Sequence, residues 1–248
     1  MRRFGFLAFV LSLALPAVAE NIGDTTVIIP IIGRFGGVPP SIWRTDVFIA
    51  NHNTVPKTLT LNFYQTGGSL LTTTVPIGAF STVTLRDIVL TTFGLSTAAG
   101  QLEIKSPNES GFEARARIYN QGLAIGEFAQ GAPGLGLSLL RVQGFLYGLS
   151  GINGNRVNIG IANPNATAIT GTLTVSDKNR NPLSTTQQTI DPHQTRQIND
   201  IFTALGITPQ ADVQVEFSTF DKVFYLYASE VRNDTGDAIF LFGTSPNT

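Results

Sequence analysis

Cysteine is absent from these 248 residues. No disulfide can staple the chain and no thiolate can hold a metal or attack a substrate, so stability must come from burial alone. Histidine is nearly as scarce, with two residues, and there is a single tryptophan. His52 and His193 lie far apart, which leaves no His or Cys pair at metal-ligand spacing. Charge is thin as well: Asp, Glu, Lys and Arg make up 13% of the chain, about half the usual share. No long basic run appears and the formal charge is −1, which argues against a nucleic-acid partner. Solubility must come from neutral polar side chains, and threonine and asparagine are plentiful.

The N-terminus explains itself. Arg2 and Arg3 precede an apolar stretch, Phe4 to Leu15, too short to span a bilayer. Pro16 ends it, and Ala17-Val18-Ala19 is a small-x-small cleavage site. This pattern predicts a secretory signal peptide over 1–19, cleaved after Ala19. Glu20 stands where a lipoprotein would need cysteine. A cleaved product would carry no membrane insertion and be secreted or periplasmic.

The chain writes one phrase twice. IANHNTVPKTLTLNFYQ begins at Ile49 and IANPNATAITGTLTVSD at Ile161. Around them Arg44 aligns with Arg156, Asp46 with Asn158, Asn51 and Asn53 with Asn163 and Asn165. Farther on, Asp87 aligns with Asp200 and Gly94 with Gly206. Low-complexity threonine cannot keep Asn, Asp and Gly in step over that distance, so the chain reads as a duplicated domain. The expected organisation is copy one at 20–130, a linker at 131–138 (GAPGLGLS), and copy two at 139–248. The linker's glycine and proline suggest a short irregular crossing.

TLTLNFY and TLTVSD alternate polar and apolar residues with period two, as half-buried strands do. Turn residues recur between such runs, including Asn51-His52-Asn53, Gly67-Gly68, Asn163-Pro164-Asn165 and Asp191-Pro192. DIVLTTFG and DIFTALG break the pattern. Asp87 and Asp200 are placed to cap a short helix through their carboxylates, and Gly94 and Gly206 to end it. The prediction is an all-β protein of two tandem antiparallel β-sandwiches, each with one short helix. VNIGIANPNATAITGTLTVSD followed by TIDPHQTRQI resembles the immunoglobulin-like repeats of bacterial secreted and surface proteins, including the cell-adhesion-related type. That resemblance implies the immunoglobulin-like fold and an extracytoplasmic setting, and carries no catalytic residues.

The search for chemistry returns little. DKNRNPL, from Asp177, opens like a calcium loop, but Pro182 stands where glycine is needed and Gln188 where glutamate is. NDTGD, Asn233 to Asp237, gathers four oxygen-bearing side chains before the last strand and reads as a turn or a calcium loop. YGLSG ends one residue short of a nucleophile elbow. Both histidines sit in turns. No catalytic, cofactor-binding or metal-binding residue is nominated, and no cofactor is expected. The informative difference between the copies is the loop Gly33–Trp43, GRFGGVPPSIW, against GLSGING in copy two. Phe35, Pro39, Pro40 and Trp43 form a candidate ligand or partner loop for a protein or glycan at the cell surface. The bland alternative is that Phe35 and Trp43 fold over the sandwich end to cover its core. The expected function is a non-enzymatic binding, adhesion or structural module of the cell envelope or extracellular space. A periplasmic assembly chaperone and a secreted hydrolase with a cryptic site are the alternatives.

Overall fold

A computed structural model of the chain describes residues 24–37, 41–107, 110–121 and 127–245. The expected signal segment and both prolines of the candidate loop, Pro39 and Pro40, lie outside these residues.

Among the described residues the protein is all-β with two short helices. The first half contains β1 (Thr26–Gly36), β2 (Ile42–Asn51), β3 (Lys57–Gln65), β4 (Leu70–Ile77), β5 (Thr82–Leu85), α1 (Ile88–Thr91), β6 (Ala98–Lys105), β7 (Phe112–Asn120), β8 (Phe128–Pro133) and β9 (Leu135–Gly136). A single 3-10 turn, Leu137–Leu139, leads into the second half. That half contains β10 (Gln143–Leu149), β11 (Asn155–Ala162), β12 (Ile169–Ser176), β13 (Pro182–Ile190), β14 (Thr195–Ile198), α2 (Ile201–Leu205), β15 (Val213–Thr219), β16 (Tyr225–Arg232) and β17 (Ala238–Phe242).

The two halves order their strands alike. In the first, β4-β3-β6-β1 form one sheet, and β2 and β7 pair with β5 and β8 in the order β5-β2-β7-β8. In the second, the orders are β13-β12-β15-β10 and β14-β11-β16-β17. Every pairing is antiparallel. Alternation drives this. Leu59, Leu61 and Phe63 of β3 are fully buried, while Thr58, Thr60 and Asn62 between them face outward. Leu173 and Val175 of β12 repeat the arrangement. In each half the inward residues of both sheets meet in one core.

The repeated Ile-Ala-Asn-x-Asn phrase is a buried tie between turns. Asn163 is fully buried, and its Nδ2 donates to the carbonyls of Thr167, Ile190 and Asp191 at 2.9, 3.1 and 3.0 Å. Its Oδ1 accepts from the Asn165 backbone N–H at 2.9 Å. Asn51 does the same in the first half, donating to Val55 and Gly78 and accepting from Asn53. One side chain thus joins the turn after β2 or β11 to the turn after β4 or β13. No apolar residue could satisfy those carbonyls.

Residues 131–138 are not an irregular crossing. Gly131–Pro133 continues β8 in register with β7, from Arg117↔Gly131 to Arg115↔Pro133. Leu135 and Gly136 then pair with Ile28 and Val27 of β1. Composition suggested a linker, but the backbone hydrogen bonds of an edge need no particular side chain. The segment between the halves is therefore sheet on both sides of Gly134.

The halves are packed against each other. Leu226 and Ala228 of β16 point into the second core, while Tyr225, Tyr227, Ser229 and Val231 point the other way and are buried too. This second face meets the first half. Tyr225 and Tyr227 cluster with Ile28 and Leu140. The Tyr225 hydroxyl donates to the Pro133 carbonyl at 2.8 Å, and Ser229 Oγ to Gln130 Oε1 at 2.9 Å. Thr195 Oγ1 donates to the Pro30 carbonyl. Gly160 makes room for this face: a Cβ there would sit 1.9 Å from the Tyr227 ring.

The tie predicts a stability effect. Asn163→Ala removes five hydrogen bonds and leaves buried carbonyls unpaired, so it should cost about 3 kcal/mol. Asn51→Ala should behave similarly. A urea titration followed by circular dichroism checks this. An unchanged midpoint in both variants would refute the role given to these residues.

Candidate functional site

The described part of the candidate loop is largely strand. β1 runs to Gly36 and β2 starts at Ile42, with Phe35 opposite Trp43 and Gly36 opposite Ile42. Trp43 is 8% exposed and belongs to the first core. Phe35 is partly buried against that same core. Gly37 lies close over the indole, since a Cβ there would be 2.6 Å from Trp43 Nε1. The structure therefore places the two aromatics of the loop as a cover for the core.

Asp87 and Asp200 stand at the helix starts but do not cap by side chain. Both adopt left-handed backbone, φ 41° and 43°, and neither carboxylate bonds a helix N–H. That backbone turns each carboxylate elsewhere. Asp87 Oδ2 takes Arg34 Nε at 3.0 Å and Arg44 Nε at 3.4 Å. Asp200 accepts from the Thr203 hydroxyl at 2.6 Å, and its charge acts on Arg156, whose pKa burial pulls down. The Asp87 and Asp200 N–H groups are instead held by the strand residues aligned in sequence, Asp46 Oδ1 at 2.9 Å and Asn158 Oδ1 at 3.0 Å. Gly206 ends α2 in the left-handed region as expected. α1 ends instead at Thr92, in right-handed conformation, and Gly94 takes the left-handed turn two residues later, with φ 72°.

In the first half this arrangement grows into a charge cluster. Asp46, 1% exposed, also accepts from Arg86 Nη1 at 2.8 Å and lies 3.8 Å from Arg117. Arg117 pairs with Glu127 and covers the Tyr119 ring. Burial, with the Asp46 and Asp87 charges, pushes the Tyr119 hydroxyl up. The carboxylates and guanidiniums neutralise one another, so the cluster braces the sheet.

The calcium-like stretches spend their oxygens on themselves. Asp177 Oδ1 accepts the N–H groups of Asn179 and Asn181, and Oδ2 accepts Asn181 Nδ2 at 2.8 Å. Asn233 Oδ1 accepts from Arg156, and Asp234 from Arg232. Among the described residues no three His, Cys, Asp or Glu converge as metal ligands, and no helix is long and apolar enough to cross a membrane.

The two histidines differ. His52 is exposed, with Nε2 3.4 Å from Glu113. His193 lies between the halves, stacked on Tyr64 with ring centroids 4.3 Å apart. Its Nδ1 is buried without a hydrogen-bond partner. Burial lowers its pKa, with Glu103 opposing and Lys105 adding to the effect. The Tyr64 hydroxyl is pushed up to about 12 by burial and by Glu103. The corresponding turn in the first half carries Phe80, also at positive φ, and it is exposed.

A cleft of about 750 Å³ lies between the halves. Its floor is the outer face of the first half's β5-β2-β7 sheet. One row reads Thr84, Phe48, Arg115; the next reads Thr82, Ala50, Glu113. Two guanidiniums flank the Phe48 ring, Arg86 at 5.7 Å and Arg115 at 5.5 Å from its centroid. The opposite wall comes from the second half and the turn before it: Leu139, Leu140, Arg141, Phe224 and Phe242. Phe242 and Leu139 are exposed there. Arg141 Nη1 donates to the carbonyls of Ser138 and Leu140. Neither Arg115 nor Arg141 pairs with a carboxylate among the described residues, and Glu113 faces His52. Such a site can hold an apolar body by contact and an anion by charge-assisted hydrogen bonds. The sequence reading missed this cleft, whose two walls lie far apart in the chain.

No family model matches the chain, and no curated protein matches it. Among solved structures it is similar to a lectin of Pleurotus ostreatus in its apo form, at 12% identity over 91% of this chain and 82% of that one, with a TM-score of 0.16. A likeness at that score carries no argument about fold or function.

Two expectations follow. Trp43→Ala should destabilise the protein by about 3–5 kcal/mol; because Trp43 is the sole tryptophan, its emission in the wild type should be that of a buried indole and shift red on unfolding. Emission already typical of exposed indole in the native protein would overturn the cover role. For His193, the unfolded chain takes up the proton near the ordinary value of 6.5, before the folded chain does. The stability tied to neutral His193 is therefore present above that pH and lost as pH falls through the depressed folded value. The Tm of the wild type should drop more than that of His193→Phe between about pH 7 and pH 5; parallel curves would show that burial of the ring is immaterial.

Proposed function

We propose that this chain is an exported, non-enzymatic binding or adhesion module of the cell envelope or extracellular space, and that the cleft between its halves is the ligand seat. The cleft is the observation that carries this reading: its volume lies in the range of ligand sites, its lining mixes apolar and polar side chains, and it holds Arg115 and Arg141, neither paired with a carboxylate among the described residues. The two halves are two copies of one unit. Their common strand order and the Asn51 and Asn163 ties support that duplication. The immunoglobulin-like kinship is one of sandwich architecture, because the immunoglobulin constant order pairs strands A-B-E-D over C-F-G. Here the first strand pairs along most of its length with the sixth. Export rests on the signal-peptide pattern of residues 1–19, which predicts a mature chain starting at Glu20.

A second reading, a periplasmic assembly chaperone, gains from Arg115 and Arg141 lining the inter-half cleft. It predicts that the bound partner is a folding intermediate of an envelope protein rather than a mature surface component.

Filling the cleft tests the seat. Ala50→Trp places an indole on its floor, on a face directed away from the core. Immobilised wild-type protein is expected to retain a component of native envelope extract that Ala50→Trp does not, with equal thermal stability of the two proteins. Equal retention by both would remove the cleft from the function.

A further inference from the structure

The cleft floor has a counterpart elsewhere in the chain. Phe48 is paired with Arg115 and Thr84; at the corresponding place in the second half Gly160 is paired with Tyr227 and Gln197. Ala50 sits between Glu113 and Thr82; Ala162 sits between Tyr225 and Thr195. The second-half face is occupied. β1 lies against β11 and β16, with Ile28 packed on Tyr225, Tyr227 and Ala162. The Pro30 carbonyl of β1 accepts the Thr195 hydroxyl. What that face receives is the outward side of the run VIIPII in β1: Ile28, Ile31 and the Pro30 carbonyl, while Val27, Ile29 and Ile32 turn into the first core.

The first-half face keeps the parts that such a segment uses. Thr82, the counterpart of Thr195, is exposed on the cleft floor with its hydroxyl free to donate to a carbonyl. Alanine again stands in the second row. The aromatic ring of the first row has moved from Tyr227 to Phe48, on the neighbouring strand. One feature is new. Where the second half has Tyr227, the first has Arg115, and Arg141 lines the same cleft. We propose that the cleft binds an extended apolar peptide segment bearing a carboxylate, laid across its floor as β1 lies across the corresponding face of the second half. The segment's apolar side chains meet Phe48, Leu139 and Phe242. A backbone carbonyl accepts from Thr82, and the carboxylate sits between Arg115 and Arg141. Charge complementarity selects the acidic partner, because the cleft holds these two cations against Glu113 alone.

This assignment rests on the cleft being the ligand seat, and the test separates the two. The probe is a fluorescein-labelled peptide of the run VIIPII followed by two glutamates; a matched peptide ends in two lysines. Fluorescence anisotropy with the full chain should show saturable binding of the glutamate peptide, at least about tenfold tighter than the lysine peptide, the worth of one or two charge-assisted hydrogen bonds. Arg115→Glu should abolish that preference. Arg115 is exposed and its replacement leaves the core intact; Thr82→Val, a smaller change, should weaken the glutamate peptide a few-fold. Equal binding of both peptides, or binding indifferent to Arg115→Glu and to Thr82→Val, overturns the proposal. So does dodecanoate binding that depends on Arg115 when neither peptide binds, which would assign the cleft to small amphiphiles. If Ala50→Trp abolishes envelope binding while the peptide results fail, the ligand seat stands and only the peptide assignment falls. If the peptide results hold while envelope retention ignores Ala50→Trp, the broader function falls instead.

Discussion

A sheet with apolar residues on both faces needs two partners, and the β14-β11-β16-β17 sheet of the second half finds only one within its own sandwich. β16 is buried at nearly every position. Leu226 and Ala228 serve the second core, and Tyr225 and Tyr227 need a cover that only the first half can give. That demand fixes how the halves meet. It draws β1, β8 and the Leu137–Leu139 turn against the second half and leaves the cleft along the margin of the contact. The corresponding sheet of the first half makes no such demand, because charged residues, Arg44, Asp46, Glu113, Arg115 and Arg117, occupy its outer face. The same framework is thus covered in one half and open in the other, and the switch is written in a few outward positions of β2, β7, β11 and β16.

The strands, the two short helices and the turn positions were legible because each has a local cause: period-two alternation in β3 and β12, and left-handed glycine at Gly94 and Gly206. The paired Asn51 and Asn163 stood out as a repeated phrase. Their action was not legible, because the carbonyls they bind lie 27 residues along the chain as well as four. Asp87 and Asp200 show how a local rule can be overridden. Aspartate before an apolar turn reads as a cap, yet at positive φ neither carboxylate meets a helix N–H: Asp87 turns to Arg34 and Arg44, and Asp200 accepts from the Thr203 hydroxyl. Alignment had already brought Arg44 and Arg156, Asp87 and Asp200 into register, and only the fold brings each arginine toward its aspartate.

Composition misled at the crossing. Glycine and proline at 131–138 suggested a short irregular segment, but an edge strand asks for backbone hydrogen bonds, which Gly131 and Ala132 supply as well as valine would. The aromatic loop Gly33–Trp43 left two readings open, a binding surface and a cover for the core; β1 runs to Gly36, β2 starts at Ile42, and Trp43 lies in the core. The cleft was illegible because its floor lies at 48–50, 82–84 and 113–115 and its far wall at 139–144 and 224–245. No spacing rule connects such segments.

The Thr195–Pro30 bond spans 165 residues, and it sets an order of events for a growing chain. Synthesis releases the first half well before Tyr225 and Tyr227 exist, so β1 can pair with β6 and shape the receiving surface in advance. The aromatic face of the second half then meets a finished partner as it forms. Were the order reversed, two tyrosines and a bare sheet face would wait in water, exposed to other chains. Long-range closure of this kind slows refolding from denaturant, where both halves start together and the tyrosine face can form before its cover does.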